Sequence, residues 1–167
     1  HRMIACIVIA GAARQKLLRE KVVPSVLRQG FDDVIVAGDF EEGEGYRYLK
    51  IPPLAGNTCD ALVKRDAGTL ATKSEILVYL CDDHSLRDAF GENLRKREGD
   101  FSWDVLVPSR WCVSPYPDQH LVALNMGWAE GYCGGHAGVF RRDVIQACPW
   151  SAGPHHRLWD LWMSRDQ

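Results

Sequence analysis

The run Ile76-Leu77-Val78-Tyr79-Leu80 is apolar at every position and breaks at once into Cys81-Asp82-Asp83-His84. An apolar run without polar alternation suits a strand covered on both faces, the usual condition of parallel sheets in α/β proteins. Ligands of open α/β sheets bind outside the carboxyl ends of strands, so the acidic cluster stands where chemistry is expected. The earlier segments agree. Residues 3–10 are rich in Ile and Val, and Gly11-Ala12-Ala13 then leads into a charged stretch with apolar residues at Leu17, Leu18, Val22, Val26 and Leu27, up to Gly30. That is strand, turn and helix. Residues 34–37 supply a second strand that stops at Gly38-Asp39, and residues 46–51 a third that ends at Pro52-Pro53. Ala61, Leu62, Leu70 and Ala71 recur at helical spacing within 58–72. Such alternation predicts an α/β domain of three layers, with a mostly parallel central sheet and right-handed crossovers.

The second half is less regular. Residues 87–97 read as a helix, 105–107 and 122–126 as strands, 114–118 as a proline-rich loop, and 142–147 as a short helix. The segment 131–138 holds four glycines and leads into the strand residues Val139-Phe140. No repeat, low-complexity tract or linker interrupts the chain, so one domain over 3–167 is expected. His1-Arg2, ahead of Met3, reads as an added leader outside the fold.

With 167 residues and 46% apolar content the chain can bury a core without staples. Its formal charge of −2 provides no overall basic surface for nucleic acid or anionic lipid. No apolar run is long enough for a transmembrane segment, and the start lacks a signal-peptide core, so a cytoplasmic location is expected. Cys6, Cys59, Cys81, Cys112, Cys133 and Cys148 show neither paired nor zinc-ribbon spacing and read as reduced core residues.

Adjacent carboxylates raise each other's pKa unless they face solvent or a cation. A divalent ion, Mn²⁺ or Mg²⁺, bound by one or two carboxylates and completed by a diphosphate, removes that cost. The competing reading of Asp82-Asp83 is a solvated turn that caps the next helix with help from Ser85.

The segment from Ala71 through His84 resembles the DxD region of GT-A glycosyltransferases, especially the large inverting family 2. Lys64-Arg65-Asp66-Ala67-Gly68 is similar to that family's Arg-Asn-x-Gly segment, and residues 23–31 are similar to its first helix and exit. The resemblance covers residues 3–88 in the right order and makes them the nucleotide-binding half, with 89–167 as the acceptor and donor-sugar half. It implies a nucleotide-diphosphate sugar as donor, a UDP-sugar first among them. It also implies roles. Asp83 and His84 would meet the metal, and Asp82 the ribose or metal. Asp39 would meet the base, and Ala10, Gly11 and Arg14 would line the nucleotide pocket. Arg65 and Asp66 would lie beneath the diphosphate or base. Cys81 stands where the family often carries an acid, which leaves two ways to match the DxD. Gly134-Gly135 and the following strand and Arg are similar to the family's Gly-Gly segment, where the backbone approaches the donor sugar or acceptor.

An inverting transferase needs a general base, usually a carboxylate. Asp160 lies where the family often carries Glu-Asp, although Trp159 replaces the Glu; the alternative is a plain surface residue of an amphipathic helix. His155-His156 reads as a solvated pair. Trp150, Trp159 and Trp162 suit either stacking on a sugar or core packing. The acceptor is open: glycan, lipid, protein or, since compact enzymes of this type occur in phages, a modified DNA base. DNA would need a basic face, which Arg87, Arg95, Lys96, Arg97, Arg110, Arg141 and Arg142 could form by clustering. Two other readings stay in view. Ala10-Gly11-Ala12-Ala13-Arg14 loosely resembles the opening of sugar-phosphate and molybdenum-cofactor nucleotidyltransferases, without their further loop glycines. A non-catalytic nucleotide- or glycan-binding domain is the third.

Overall fold

The computed structural model describes residues 1–53, 60–100, 102–106, 110–113, 122–125, 137–147 and 149–150. Its strands are β1 (Ile4–Ala10), β2 (Asp33–Gly38), β3 (Arg47–Lys50), β4 (Ile76–Cys81), β5 (Val105–Leu106), β6 (Arg110–Val113), β7 (Val122–Asn125) and β8 (Ala137–Arg141). Six of them form one sheet in the order β3-β2-β1-β4-β8-β5, and β6 and β7 pair as a separate ribbon. β3, β2, β1 and β4 run parallel, with Cys6 opposite Val34 on one side and Val78 on the other. β8 is antiparallel to both β4 and β5. The mostly parallel sheet expected from the sequence is therefore present, with one reversed strand. That strand comes from the second half of the chain, so both halves share the sheet.

β1 is buried at all seven positions and β4 at five of six, as strands covered on both faces must be. Alternate residues feed two cores. Ile4, Cys6, Val8, Ala10, Val34, Val36, Ile76, Val78 and Leu80 meet Leu18, Val22, Val26 and Leu94 on one face. Ala5, Ile7, Ile9, Ile35, Leu77 and Tyr79 meet Phe140 and Ile145 on the other, with Ala61 and Trp150 packed against them. The helices thus form outer layers on both sides, giving the three layers expected. These helices are α3 (Asp60–Leu70), α4 (Phe90–Arg97) and α5 (Arg142–Ala147), with α1 (Gln15–Leu17) and α2 (Val23–Leu27) in the stretch after β1.

That stretch is helical but not uniform. A 3₁₀ turn, Ala12–Arg14, leads into α1, and a π segment, Leu18–Val22, separates α1 from α2. The Val23 N–H bonds Leu18 O, and the next residue, Pro24, has no N–H with which to continue an α ladder. The wider π turn sits where that donor is missing. Gly30, at φ 70°, then ends the helix as expected.

Other expectations need adjusting. β6 was not anticipated, because residues 110–113 carry Arg and Cys without clean alternation. The helix expected at 87–97 starts at Phe90. His1 and Arg2 are not outside the fold: His1 Nε2 lies 3.2 Å from Asp32 Oδ1, Arg2 Nη1 donates to Glu75 at 2.8 Å, and Arg95 donates to Arg2 O at 2.8 Å. Cys6 and Cys81 are free thiols, as expected of reduced residues. Burial pushes both upward in pKa; at Cys81 the Arg65 charge opposes that rise in part. Among the described residues, no helix is long and apolar enough to cross a membrane.

Candidate functional site

β1 and β4 are neighbours, so their carboxyl ends bring Gly11 and Asp82 together across 71 residues of chain. Asp82 is 8% exposed. Its Oδ2 accepts the Gly11 N–H at 3.0 Å, and its Oδ1 accepts Arg14 Nη1 at 3.0 Å. Both oxygens are therefore engaged within the protein. A Cβ on Gly11 would come within 2.8 Å of Oδ2, so only glycine permits this approach.

Asp83 is the outward member of the pair. Residues 81–84 form a turn closed by the His84 N–H on Cys81 O at 3.2 Å, and within it Asp82 is buried while Asp83 is exposed. Asp83 Oδ1 meets His84 Nδ1 at 2.5 Å, and Oδ2 lies 3.8 Å from Arg14 Nη2. The hydrogen bond from His84 holds the Asp83 carboxyl below its usual range; burial opposes this, and the charges of His84 and Arg14 reinforce it. Asp83 is thus an exposed carboxylate that stays ionised.

On the other side of β1, Gln15 bonds Gly11 O at 2.9 Å and Asp39 O at 2.6 Å, tying the loop after β1 to the end of β2. The Asp39 N–H donates to Ala10 O at 3.2 Å, and the Asp39 side chain belongs to an exposed residue. Gly38, at φ 129°, makes this junction possible, since a Cβ there would sit 2.1 Å from Ala10 O. Ala10, Gly11, Arg14, Asp39, Asp82 and Asp83 therefore share one end of the sheet, where the sequence placed them. The unanticipated members are Gln15 and Lys64, the latter donating to Ala10 O at 2.9 Å. Gln15 is one helical turn beyond Gly11, which could have flagged it. Lys64 heads the segment that resembles the family's Arg-Asn-x-Gly, without a role attached to it.

Arg65 and Asp66 are placed differently. Arg65 is 2% exposed, with Nη2 3.7 Å from Cys81 Sγ at the end of β4 and its guanidinium 4.7 Å above the Trp150 ring. Asp66 Oδ1 accepts the Trp150 backbone N–H at 2.9 Å. Trp150 also packs edge-on against Tyr79 and Phe140, at 5.2 and 5.1 Å, which is core packing, not an open stacking platform. Gly134, Gly135, His155, His156, Asp160, Trp159 and Trp162 lie outside the described residues.

Does this end of the sheet fit a divalent ion? Among the described residues, no three His, Cys, Asp or Glu side chains gather as a metal cage. Mg²⁺ seldom needs one, because it keeps waters and is commonly held by one or two carboxylates plus substrate phosphates. Asp83 offers that single outward carboxylate, with His84 fixing one oxygen.

No protein-family model matches the sequence, and no curated protein matches it. Solved structures do match in three dimensions. S. aureus TarS 1–349 superposes with a TM-score of 0.60 at 11% identity, over 95% of this chain and 54% of that one. TarS 1–349 in complex with UDP-GlcNAc gives 0.58 at 12% identity, over 87% and 47%. CMP:2-keto-3-deoxy-manno-octonic acid synthetase complexed with CTP gives 0.52 at 14% identity, over 98% and 84%. The chain spans about half the length of these two TarS structures and 29% of a third. These identities speak for the fold: the chain has the GT-A-like, Rossmann-like α/β fold that these proteins share, as the resemblance over residues 3–88 implied.

Proposed function

We propose that this chain is a metal-dependent glycosyltransferase that moves a sugar from a nucleotide-diphosphate donor, a UDP-sugar, to an acceptor hydroxyl with inversion. The observation that carries the reading is the division of labour between the paired carboxylates. Asp82 is consumed in holding Gly11 and Arg14, which leaves Asp83 outward at the carboxyl end of β4. A like-charged pair in a plain solvated turn has no need of a glycine contact from a strand distant in sequence. The fold shared with TarS, one structure of which holds UDP-GlcNAc, supports the donor class.

In this reading Asp83 holds Mn²⁺ or Mg²⁺ and His84 orients the carboxylate. When bound, the ion neutralises the leaving diphosphate. Arg14 adds a guanidinium beside the same oxygens. Asp39 and the Ala10-Gly11 backbone receive the nucleoside, and Asp160 takes the acceptor proton as general base. A glycan, lipid, protein or modified DNA base would be the acceptor, and the cytoplasm the site of action.

Thermal unfolding in the presence of UDP-, GDP-, CDP-, ADP- and TDP-sugars and of NTPs, each with Mn²⁺ or a chelator, tests this. Ligand at 100 times its Kd adds about 2.7 kcal/mol. The expected outcome is a Mn²⁺-dependent rise with a UDP-sugar, and no response to any nucleotide would sink the proposal. A response to an NTP alone would favour a nucleotidyltransferase acting on a sugar phosphate or cofactor. One observation favours that second reading: the chain spans 84% of the CTP-bound synthetase, against 54% of TarS 1–349.

A further inference from the structure

Arg14 is the one side chain that reaches both members of the acidic pair. Its Nη1 donates to Asp82 Oδ1 at 3.0 Å, and its Nη2 lies 3.8 Å from Asp83 Oδ2. The other oxygens are taken as well: Asp82 Oδ2 by the Gly11 N–H, and Asp83 Oδ1 by His84 Nδ1. Every oxygen of the pair therefore faces a donor or a positive charge in the free chain. A divalent ion binds through carboxylate oxygens. At this site it must break a hydrogen bond or share a carboxylate with a guanidinium, and two positive charges on one carboxylate repel.

The contacts are unequal, and the inequality says where the arrangement opens. The Asp82 side chain is 11% exposed and holds Arg14 at hydrogen-bond distance. The Asp83 side chain is 38% exposed and faces the guanidinium across a gap too long for a hydrogen bond. Asp83 Oδ2 is thus the oxygen most open to an ion, and Arg14 is the charge set against it. The Arg14 side chain is 50% exposed, and its turn, Ala12–Arg14, contains no buried residue, so it can pivot without disturbing the core. A diphosphate changes the balance. Its oxygens give the guanidinium a planar, charge-assisted partner, and the same group supplies oxygens to the ion. The ion and Arg14 then no longer compete for Asp83.

We propose that Arg14 couples metal to nucleotide: in the free chain it holds the Asp83 carboxylate against a divalent ion, and a bound diphosphate draws the guanidinium away. The inference rests on the metal and nucleotide reading given above, and adds the residue that makes one ligand depend on the other. Such coupling is reciprocal, so UDP tightens Mn²⁺ by the factor by which Mn²⁺ tightens UDP.

Mn²⁺ titration followed by electron paramagnetic resonance, alone and with UDP, tests it on the wild type, Arg14→Gln, Arg14→Lys and Asp83→Ala. Arg14→Gln keeps an N–H for Asp82 Oδ1 and loses the charge. It should bind Mn²⁺ alone at least about fivefold more tightly than the wild type, and the factor by which UDP tightens Mn²⁺ should shrink. Arg14→Lys keeps the charge, should stay near the wild type in its affinity for Mn²⁺ alone, and covers the case in which the glutamine variant unfolds. If folded Arg14→Gln binds Mn²⁺ alone no better than the wild type, Arg14 is only a brace for Asp82 and the inference falls alone. An equal rise in Arg14→Lys would show that charge is not what excludes the ion, and would also overturn it. If the wild type with UDP binds Mn²⁺ no better than Asp83→Ala does, the metal reading of Asp83 itself is lost.

Discussion

Asp82 and Asp83 are adjacent in sequence and opposite in circumstance. Asp82→Ala leaves the Gly11 N–H without its acceptor and frees Arg14, so a loss of about 1–3 kcal/mol is expected in urea unfolding. Asp83→Ala removes an exposed carboxylate whose contacts are His84 and Arg14, and should leave the unfolding midpoint close to wild type while abolishing Mn²⁺-dependent donor binding. Normal donor binding in that variant would withdraw Asp83 from the metal role. Asp160→Asn should cut transfer by about 10²-fold or more and spare donor affinity, if Asp160 is the base; an unchanged turnover number moves the base elsewhere. Which carboxylate faces inward could not be read from the sequence, because a turn of one residue more or less exchanges their roles.

At the scale of elements, the connection between α3 and β4 rests on a residue far away in sequence. Arg142, the first residue of α5, donates to Ser74 O at 2.6 Å, Thr72 O at 2.7 Å and Thr69 O at 3.2 Å. These are carbonyls at the end of α3 and the approach to β4, which a helix terminus otherwise leaves unpaired. Arg142→Met should therefore cost about 2–3 kcal/mol in chemical unfolding, since hydrogen bonds to charged groups are the stronger kind. A change below 0.5 kcal/mol, the usual scatter of surface substitutions, would show that water replaces the guanidinium. The strands β1, β2 and β4 were legible because uninterrupted apolar runs have few alternatives. α3 was legible from its spacing, and the expected helix runs two residues past Leu70 at its carboxyl end. The Arg142 clamp was not, since an Arg at a helix start reads as a solvated cation until the sheet order brings residues 69–74 beneath it.

At the scale of the whole molecule, charge pairing decides what the surface can offer. The basic residues that could have formed a face for DNA are largely engaged inside the chain: Lys96 with Glu92, Arg141 with Asp104 and Asp143, and Arg142 with the carbonyls above. Arg95 joins α4 to the amino-terminal end of the sheet through Asp32 at 2.7 Å. Burial would raise the pKa of Asp32, but the hydrogen bonds from Arg95 and the Ile4 N–H outweigh it and hold the carboxyl below the unfolded value of 3.8. A depressed folded pKa means that the unfolded chain takes up the proton first as the pH falls. The stabilisation is then complete above the unfolded value and is lost as the pH drops through the folded one. The gap in urea midpoint between wild type and Arg95→Met should accordingly be larger at pH 7 than at pH 3. An equal gap at both values would assign Arg95 a packing role alone.

The chain's local chemistry determined the alternation of strand and helix, the two-faced burial of β1 and β4, and the presence of acid at the end of β4. These follow from periodicity and from the cost of burying polar groups, which act over a few residues. Tertiary structure decided the reversed entry of β8, the pairing of β6 with β7, and the inward turn of Asp82 toward Gly11. It also carried Lys64 to Ala10 O and packed Trp150 against the core. Each of these depends on which strand ends become neighbours, and that is set by the packing of residues dozens of positions apart, where no local pattern reaches.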